Sequence, residues 1–169
     1  MINDSVVYSI ENYLTSDQCD ELIALFDATP TPDNSTDPDW LGRVKWPTYT
    51  EDQRILLRIK RQEIFESFYE VKSKMINLNM TLWRTGHFMP PHSDYGKVLE
   101  YTNREFASML YLNDDFEGGE LYIPELNFIN KPKKGQLVFF RGGKYRHGVT
   151  KVTSGRRITS GCWFEILGT

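Results

Sequence analysis

The hydrophobic period of the chain changes at Asn77, and that change limits the available folds more than any other feature. After it, Leu78, Met80 and Leu82 alternate with Asn79 and Thr81, the pattern of a strand with one buried face. Phe106–Leu112, Glu120–Ile123, Gln136–Arg141 and Arg157–Leu167 are further strand candidates, separated by Gly, Pro and Asn-Asp turns. A parallel sheet needs long, usually helical crossovers between its strands, and none is legible after residue 77. Helices first and many short strands after predict an α+β, mainly β fold, an antiparallel sandwich or jelly roll with the helices packed outside.

The first half supplies those helices. Val6–Ile10 is a short β-prone run. Thr15 and Gln18 have the spacing of a capping box, and Cys19, Leu22, Ile23 and Phe26 follow at helical intervals, which predicts a helix over Ser16–Ala28. Glu51–Ile76 reads as helical again, with Leu57, Ile64, Phe68, Val71 and Met75 as its apolar face. Between them Pro30, Pro32, Pro38 and Pro47 punctuate a polar stretch that contains Trp40 and Trp46. Prolines at that density exclude a long helix or a central strand. The stretch is either a surface loop or a lid whose tryptophans cover a substrate.

At 169 residues and 19.8 kDa the chain is long enough for an ordinary core without metal or disulfide staples. The expectation is one domain over 1–169, helical to about residue 77 and a β-barrel core from about residue 78. An aromatic content of 14% argues against disorder. The net charge of −3 lends no bulk electrostatic support to nucleic-acid binding. Cys19 and Cys162 form neither a metal-ligand spacing nor a disulfide framework, which favours a reducing compartment. The N-terminus lacks a signal-peptide pattern, and no apolar run approaches the roughly 20 residues that span a bilayer. A cytoplasmic protein without a membrane partner is the expectation.

The chemistry gathers around the histidines. His92-Ser93-Asp94 is a His-x-Asp element, and on an extended segment residues two apart point the same way. With His147 from a neighbouring strand, His92 and Asp94 would form a two-His-one-carboxylate set on one face of an octahedral ion. The opposite positions stay open, the pattern of non-haem Fe(II) oxygenases. Zinc fits less well, because it usually fills a four-coordinate site with more His or Cys. Taken singly, His92 is a solvated loop histidine beside Pro90-Pro91 and His147 a strand histidine bonded to backbone. Arg157 lies ten residues beyond His147. A turn at Ser154-Gly155 would join two antiparallel strands and return Arg157 beside the His147 strand. There its rigid fork would suit the far end of a dicarboxylate co-substrate. An exposed hairpin arginine is the plainer alternative. Trp163 shares the face of Arg157, and Gly161 between them opens space, while Ile158, Cys162, Phe164 and Ile166 take the core face.

These residues resemble the 2-oxoglutarate- and Fe(II)-dependent dioxygenases, and among them the prolyl 4-hydroxylase-like group. The resemblance is strongest from Trp83 to Phe164. It rests on Phe106-Ala107-Ser108-Met109-Leu110-Tyr111-Leu112-Asn113, Phe116-Glu117-Gly118-Gly119-Glu120-Leu121, Gly135-Gln136-Leu137-Val138-Phe139-Phe140, and His147 with its trailing Arg157. It implies a double-stranded β-helix (jelly roll, cupin-like) with the N-terminal helices packed outside. It implies Fe(II) held by His92, Asp94 and His147, with 2-oxoglutarate and O2 as co-substrates and ascorbate as an accessory reductant. Arg157 would pair with the distal carboxylate of 2-oxoglutarate, and Tyr111 would place its hydroxyl on the same group. Arg104 matches an arginine near the substrate entrance, and Trp163 a tryptophan on the last barrel strand that faces the iron. Trp83 stands where relatives commonly carry tyrosine, which alters the pocket. The implied reaction is hydroxylation of a C–H bond, foremost of a peptidyl proline, coupled to decarboxylation of 2-oxoglutarate to succinate. A free amino acid or other small molecule is the near alternative. An inactive oxygenase-like binding module is opposed by the intact triad. Nucleic-acid demethylation of the AlkB type fits the arginine spacing less well.

Overall fold

The computed structural model describes residues 6–31, 43–94 and 105–167. Trp40 and Arg104, both singled out above, lie outside the described residues. Helix α1 (Ser16–Ala28) starts at the expected capping box. The Gln18 amide donates to Thr15 Oγ1 (3.2 Å) and the Thr15 amide to Gln18 Oε1 (3.0 Å), which satisfies two of the donors a helix start leaves open. Thr50 and Gln53 repeat the device at the start of α2 (Glu51–Arg54), a spacing just as visible in the chain but unread above. A π-helical stretch, Ile55–Lys60, leads into α3 (Arg61–Tyr69).

The expected helix over Glu51–Ile76 is too long. It ends at Glu70, whose φ is +53°, and Ser73–Ile76 already belong to strand β3 (Ser73–Arg84). A helix that stops in the left-handed conformation usually does so on glycine or asparagine, so glutamate hid the boundary. The apolar face differs as well. Leu57, Phe65 and Tyr69 are buried with Arg61 between them, whereas Ile64 and Phe68 are only partly buried. The π-helical stretch widens the turn and moves the buried stripe to a strict four-residue spacing.

The strands form two antiparallel sheets. The larger uses β1 (Tyr8–Ile10), β2 (Val44–Lys45), β3, β5 (Phe106–Tyr111), β8 (Leu137–Phe140) and β10 (Arg156–Ile166), in the order β1-β8-β5-β10-β3-β2. The smaller has β4 (Met89–His92), β6 (Leu121–Ile123), β7 (Phe128–Asn130) and β9 (His147–Val149), in the order β4-β9-β6-β7. The strand candidates read from the sequence survive with trimmed ends. Strands β2, β4 and β7 were not anticipated: β2 falls in the stretch expected to be a loop or lid, and Pro90-Pro91 disguised β4, which sits at a sheet edge where proline is tolerated.

The helices cover the outer face of the large sheet. Phe65 stacks on Phe164 with ring centroids 4.0 Å apart, within a core that takes in Phe26, Leu57, Met80, Phe106, Phe139 and Ile158. Between the two sheets lies a second core of Ala107, Tyr111, Leu121, Ile123, Val138 and Phe140. Along β10 the alternation matches expectation, with Ile158, Cys162 and Phe164 toward the helices and Thr159, Gly161 and Trp163 toward the inter-sheet cavity. Strand β3 carries a bulge. Gly161 pairs with Asn79 and Trp163 with Ile76, and Asn77 takes φ +50°. The extra residue lets Met75 and Leu78, of opposite parity, share the helix-facing core.

One expected connection does not exist. Strands β9 and β10 are not a hairpin: β9 pairs with β4 and β6, and β10 with β3 and β5. Residues 150–155 cross from the small sheet to the large one. Arg157 is therefore paired with Trp83 rather than set beside the His147 strand, because closing a double-stranded β-helix requires the chain to change sheets.

Candidate active site

The small sheet brings the triad together. His92 ends β4 and pairs directly with His147 on β9, so the two rings lie 4.5 Å apart between centroids. Asp94 follows two residues later, its amide donating to Gly142 O (2.9 Å). Asp94 Oδ1 is 3.8 Å from His92 Nε2, and Asp94 Oδ2 is 3.6 Å from His147 Nε2. One ligand atom from each residue lies within 4.8 Å of the other two. Ligands around an ion with bonds of about 2.1 Å sit about 3–4 Å apart, so a small contraction would close the set.

The surroundings prepare these atoms for a cation. His92 Nδ1 lies 3.1 Å from Pro90 O and His147 Nδ1 lies 3.2 Å from Tyr145 O. A carbonyl accepts only, so each Nδ1 carries the hydrogen, and in the neutral ring Nε2 is left with the lone pair that binds a metal. Burial pushes the His147 imidazole below its usual pKa; the Asp94 carboxylate opposes this and His92 reinforces it. A neutral ring is the form that binds metal. Asp94 Oδ2 is buried and has no hydrogen-bond partner among the described residues, a need that a bound ion would satisfy. A Cβ built at Gly142 would lie 2.2 Å from that oxygen, so the carboxylate occupies space only glycine leaves. His87 lies outside the cluster.

A second feature stands beside the cavity. Arg157 is 0% exposed, and its Nε, Nη1 and Nη2 find no hydrogen-bond acceptor of ordinary geometry among the described residues. Tyr111, also 0% exposed, has a hydroxyl that makes no hydrogen bond of ordinary geometry among the described residues. The guanidinium carbon lies 5.2 Å from the Tyr111 ring centroid and 5.4 Å from that of Trp83. Burial lowers the Arg157 pKa against the opposing pull of Tyr111 and Glu120, and raises that of Tyr111 against Arg157 and Asn130, so burial disfavours each charged form. An arginine remains protonated in proteins, and a fully buried cation is costly unless its donors are satisfied. The arrangement fits a carboxylate that would accept from the guanidinium and the phenol together. Gly119 makes the room, since a Cβ there would come within 2.8 Å of Arg157 Cδ.

A cavity of about 500 Å³ opens between the sheets at the triad, and Trp83 separates it from Arg157. The triad lines it, with Trp83 and Thr159 from the large sheet and Leu121, Phe140 and Val149 on largely apolar walls. Trp163 lines it too, as expected from its parity. Trp83 is further braced by Arg43, whose guanidinium carbon lies 4.6 Å from the ring centroid. Sequence reasoning missed Arg43, Asn79 and Gly142. Asn79 carries a legible signal, since it shares the parity of Thr81 and Trp83 along β3, whereas Gly142 and Arg43 sit in irregular chain without one.

Similarity to known proteins agrees with this geometry. The model of the 2OG-Fe(II) oxygenase superfamily matches residues 77–165. Prolyl 3-hydroxylase 2 of Homo sapiens is 42% identical over 72 residues, which are 39% of this chain and 10% of the human protein. The matched part is thus about a tenth of that relative's length. The solved viral collagen prolyl hydroxylase of Paramecium Bursaria Chlorella virus-1, in its 2OG complex, shares the fold. It has a TM-score of 0.70 at 20% identity, covering 96% of each chain. A prolyl hydroxylase of Trichoplax adhaerens, solved with a hypoxia inducible factor peptide fragment, gives a TM-score of 0.66 at 15% identity over 96% of this chain and 84% of that one. With the double-stranded β-helix, a metal-ready triad and the family match over more than half its length, the chain belongs to the 2OG-Fe(II) oxygenase superfamily.

Proposed function

We propose that this protein is a 2-oxoglutarate- and Fe(II)-dependent dioxygenase that hydroxylates a peptidyl proline and releases succinate. The observation that carries the reading is a convergent His92-Asp94-His147 set in one cavity wall, with a buried Arg157–Tyr111 pair beside it whose polar atoms make no hydrogen bond of ordinary geometry among the described residues. The chemistry supplied when Fe(II), 2-oxoglutarate and O2 are bound is oxidative decarboxylation coupled to C–H hydroxylation.

The protein's own residues do the rest. His92 Nε2, His147 Nε2 and an Asp94 oxygen hold one face of the ion, while the carbonyls of Pro90 and Tyr145 keep the rings in the ligating tautomer. Arg157 and Tyr111 take the distal carboxylate of 2-oxoglutarate, and Trp83 packs against the guanidinium. Leu121, Phe140, Val149 and Trp163 keep water from the reacting centre. Peptidyl proline is favoured because the curated relative and the solved neighbours are prolyl hydroxylases, one of them solved with a peptide. Among the described residues no helix is long and apolar enough to cross a membrane. Both cysteines are free and buried, which supports a reducing, cytoplasmic setting.

The test is succinate release with Fe(II), ascorbate and 2-oxoglutarate, in parallel with mass spectrometry of a panel of proline-containing peptides. One added oxygen on a proline, matched by succinate, is expected. Succinate matched by oxygen on a free amino acid alone would transfer the activity to a small-molecule substrate. No succinate with any probe would leave a binding module.

A further inference from the structure

Asn79 is 5% exposed, yet it lines the cavity that holds the triad. Its Oδ1 accepts from Thr81 Oγ1 at 3.2 Å, and its amide nitrogen has no partner among the described residues. A donor without a partner on a nearly buried side chain in the wall of a mostly apolar cavity is a group awaiting an acceptor. The wall beside it is open, because the nearest atom to a Cβ built at Gly161 is Asn79 Oδ1 itself, at 3.6 Å. At the same wall Trp46, 53% exposed, donates its indole N–H to Asn77 Oδ1 at 3.0 Å. The β3 bulge sets Asn77 there, and the tryptophan is thereby held as an aromatic edge.

Charge decides what kind of molecule suits this wall. Among the described residues lining the cavity, Asp94 is the one carboxylate, and neither lysine nor arginine is present. A free amino acid brings an ammonium and a carboxylate, each of which needs a counter-charge once its water is stripped. An internal residue of a peptide brings only neutral amide groups. We propose that Asn79 is a specificity-determining residue, its amide nitrogen donating to a backbone carbonyl of the substrate and so admitting an internal residue of a peptide over the free amino acid. This rests on the oxygenase reading and assigns that site its discriminating contact. A free carboxylate could accept the same bond, but it would bring a charge for which the described lining offers no cation, whereas a peptide carbonyl is neutral.

The experiment compares wild type with Asn79→Leu, similar in volume but without the donor, and Asn79→Asp, which replaces the donor with an acceptor. Each Fe(II)-loaded enzyme receives 2-oxoglutarate and either free L-proline or proline-containing peptides, and added oxygen and succinate are both measured. Wild type is expected to oxidise a peptide in preference to L-proline. Both variants are expected to lose about 10- to 100-fold in kcat/KM for that peptide, with the KM for 2-oxoglutarate unchanged. Gly161→Ala places its methyl at ordinary contact distance from Asn79 and is expected to raise the peptide KM, which guards against a fold defect in the Asn79 variants. Unchanged peptide kcat/KM in Asn79→Leu, or a loss tracking the KM for 2-oxoglutarate, overturns the inference while the oxygenase reading stands. No succinate from wild type with any probe overturns that reading and the inference with it.

Discussion

Gly142 and Asp94 show how little slack the site has. The carboxylate stands where a methyl group at residue 142 would go, with 2.2 Å between them. Gly142→Ala must displace Asp94, whose backbone is itself tied to Gly142 O. A loss of about 10- to 100-fold in divalent-metal affinity is expected from such a disturbed support, read by titration with Mn(II) under anaerobic conditions; unaltered affinity would mean Asp94 is not a ligand. His147→Ala is expected to abolish succinate release, and full turnover in that variant would remove the triad from the reaction. Arg157 makes a different contribution. Its replacement by lysine keeps a charge but loses the planar fork, so Arg157→Lys is expected to raise the KM for 2-oxoglutarate by about 10-fold or more while peptide binding is unaffected.

At the scale of the element, one carboxylate stitches α3 to β3. Glu66 Oε1 accepts from the Ser73 amide (2.8 Å) and the Ser73 hydroxyl (3.2 Å), and Oε2 from Lys72 (3.1 Å). Burial by itself would raise the Glu66 carboxyl, but the Ser73 amide, Lys72, the Gln62 amide and the Ser73 hydroxyl outweigh it and hold the pKa at about 2, against an ordinary 4.5. A depressed carboxylate pKa contributes stability that is present above the unfolded pKa and lost as pH falls through the folded one. The window therefore runs from about 4.5 down to about 2. The urea midpoint of the wild type is expected to fall more steeply between about pH 5 and pH 3 than that of Glu66→Gln, which cannot titrate. Equal slopes would assign the α3–β3 junction to something else. This bond also explains why the helix ends where it does, since Glu70 turns left-handed and the next residues are already committed to the Glu66 carboxylate.

For the molecule as a whole, the large sheet serves two masters. Its outer face packs the helices and its inner face builds the cavity, so the outer core determines the geometry of the inner one. Phe65 is fully buried, stacked on Phe164 and within 5.3 Å of the Phe106 ring. Phe164 and Phe106 are paired neighbours on β10 and β5, the strands that also carry Arg157 and Tyr111. Phe65→Ala is expected to cost about 3–5 kcal/mol by creating a cavity, measured by chemical denaturation. A cost below about 1 kcal/mol would show that the helices only decorate the barrel. Arg61 joins the same interface without a carboxylate partner, donating to Ser108 Oγ (2.9 Å), Ser160 Oγ (3.3 Å) and Ser160 O (3.0 Å). Nothing in its sequence neighbourhood marks it as buried.

What the chain alone determined is everything set by neighbours a few residues apart. The Thr15–Gln18 cap, the alternation along β3 and β10, the antiparallel class and the His92-x-Asp94 pair are all local, and residue spacing encodes them directly. The tertiary structure decided what depends on contact between distant segments. It placed β9 and β10 in different sheets, replacing the expected hairpin with a crossing. It ended the second helix at a left-handed glutamate, where neither glycine nor asparagine marks the stop. It also brought Arg157 between Trp83 and Tyr111, and turned Asn79 from a polar residue on an alternating strand into a nearly buried part of the cavity wall. Short-range sterics and periodicity act before the chain folds, whereas burial and pairing exist only once the sheets have closed around the cavity.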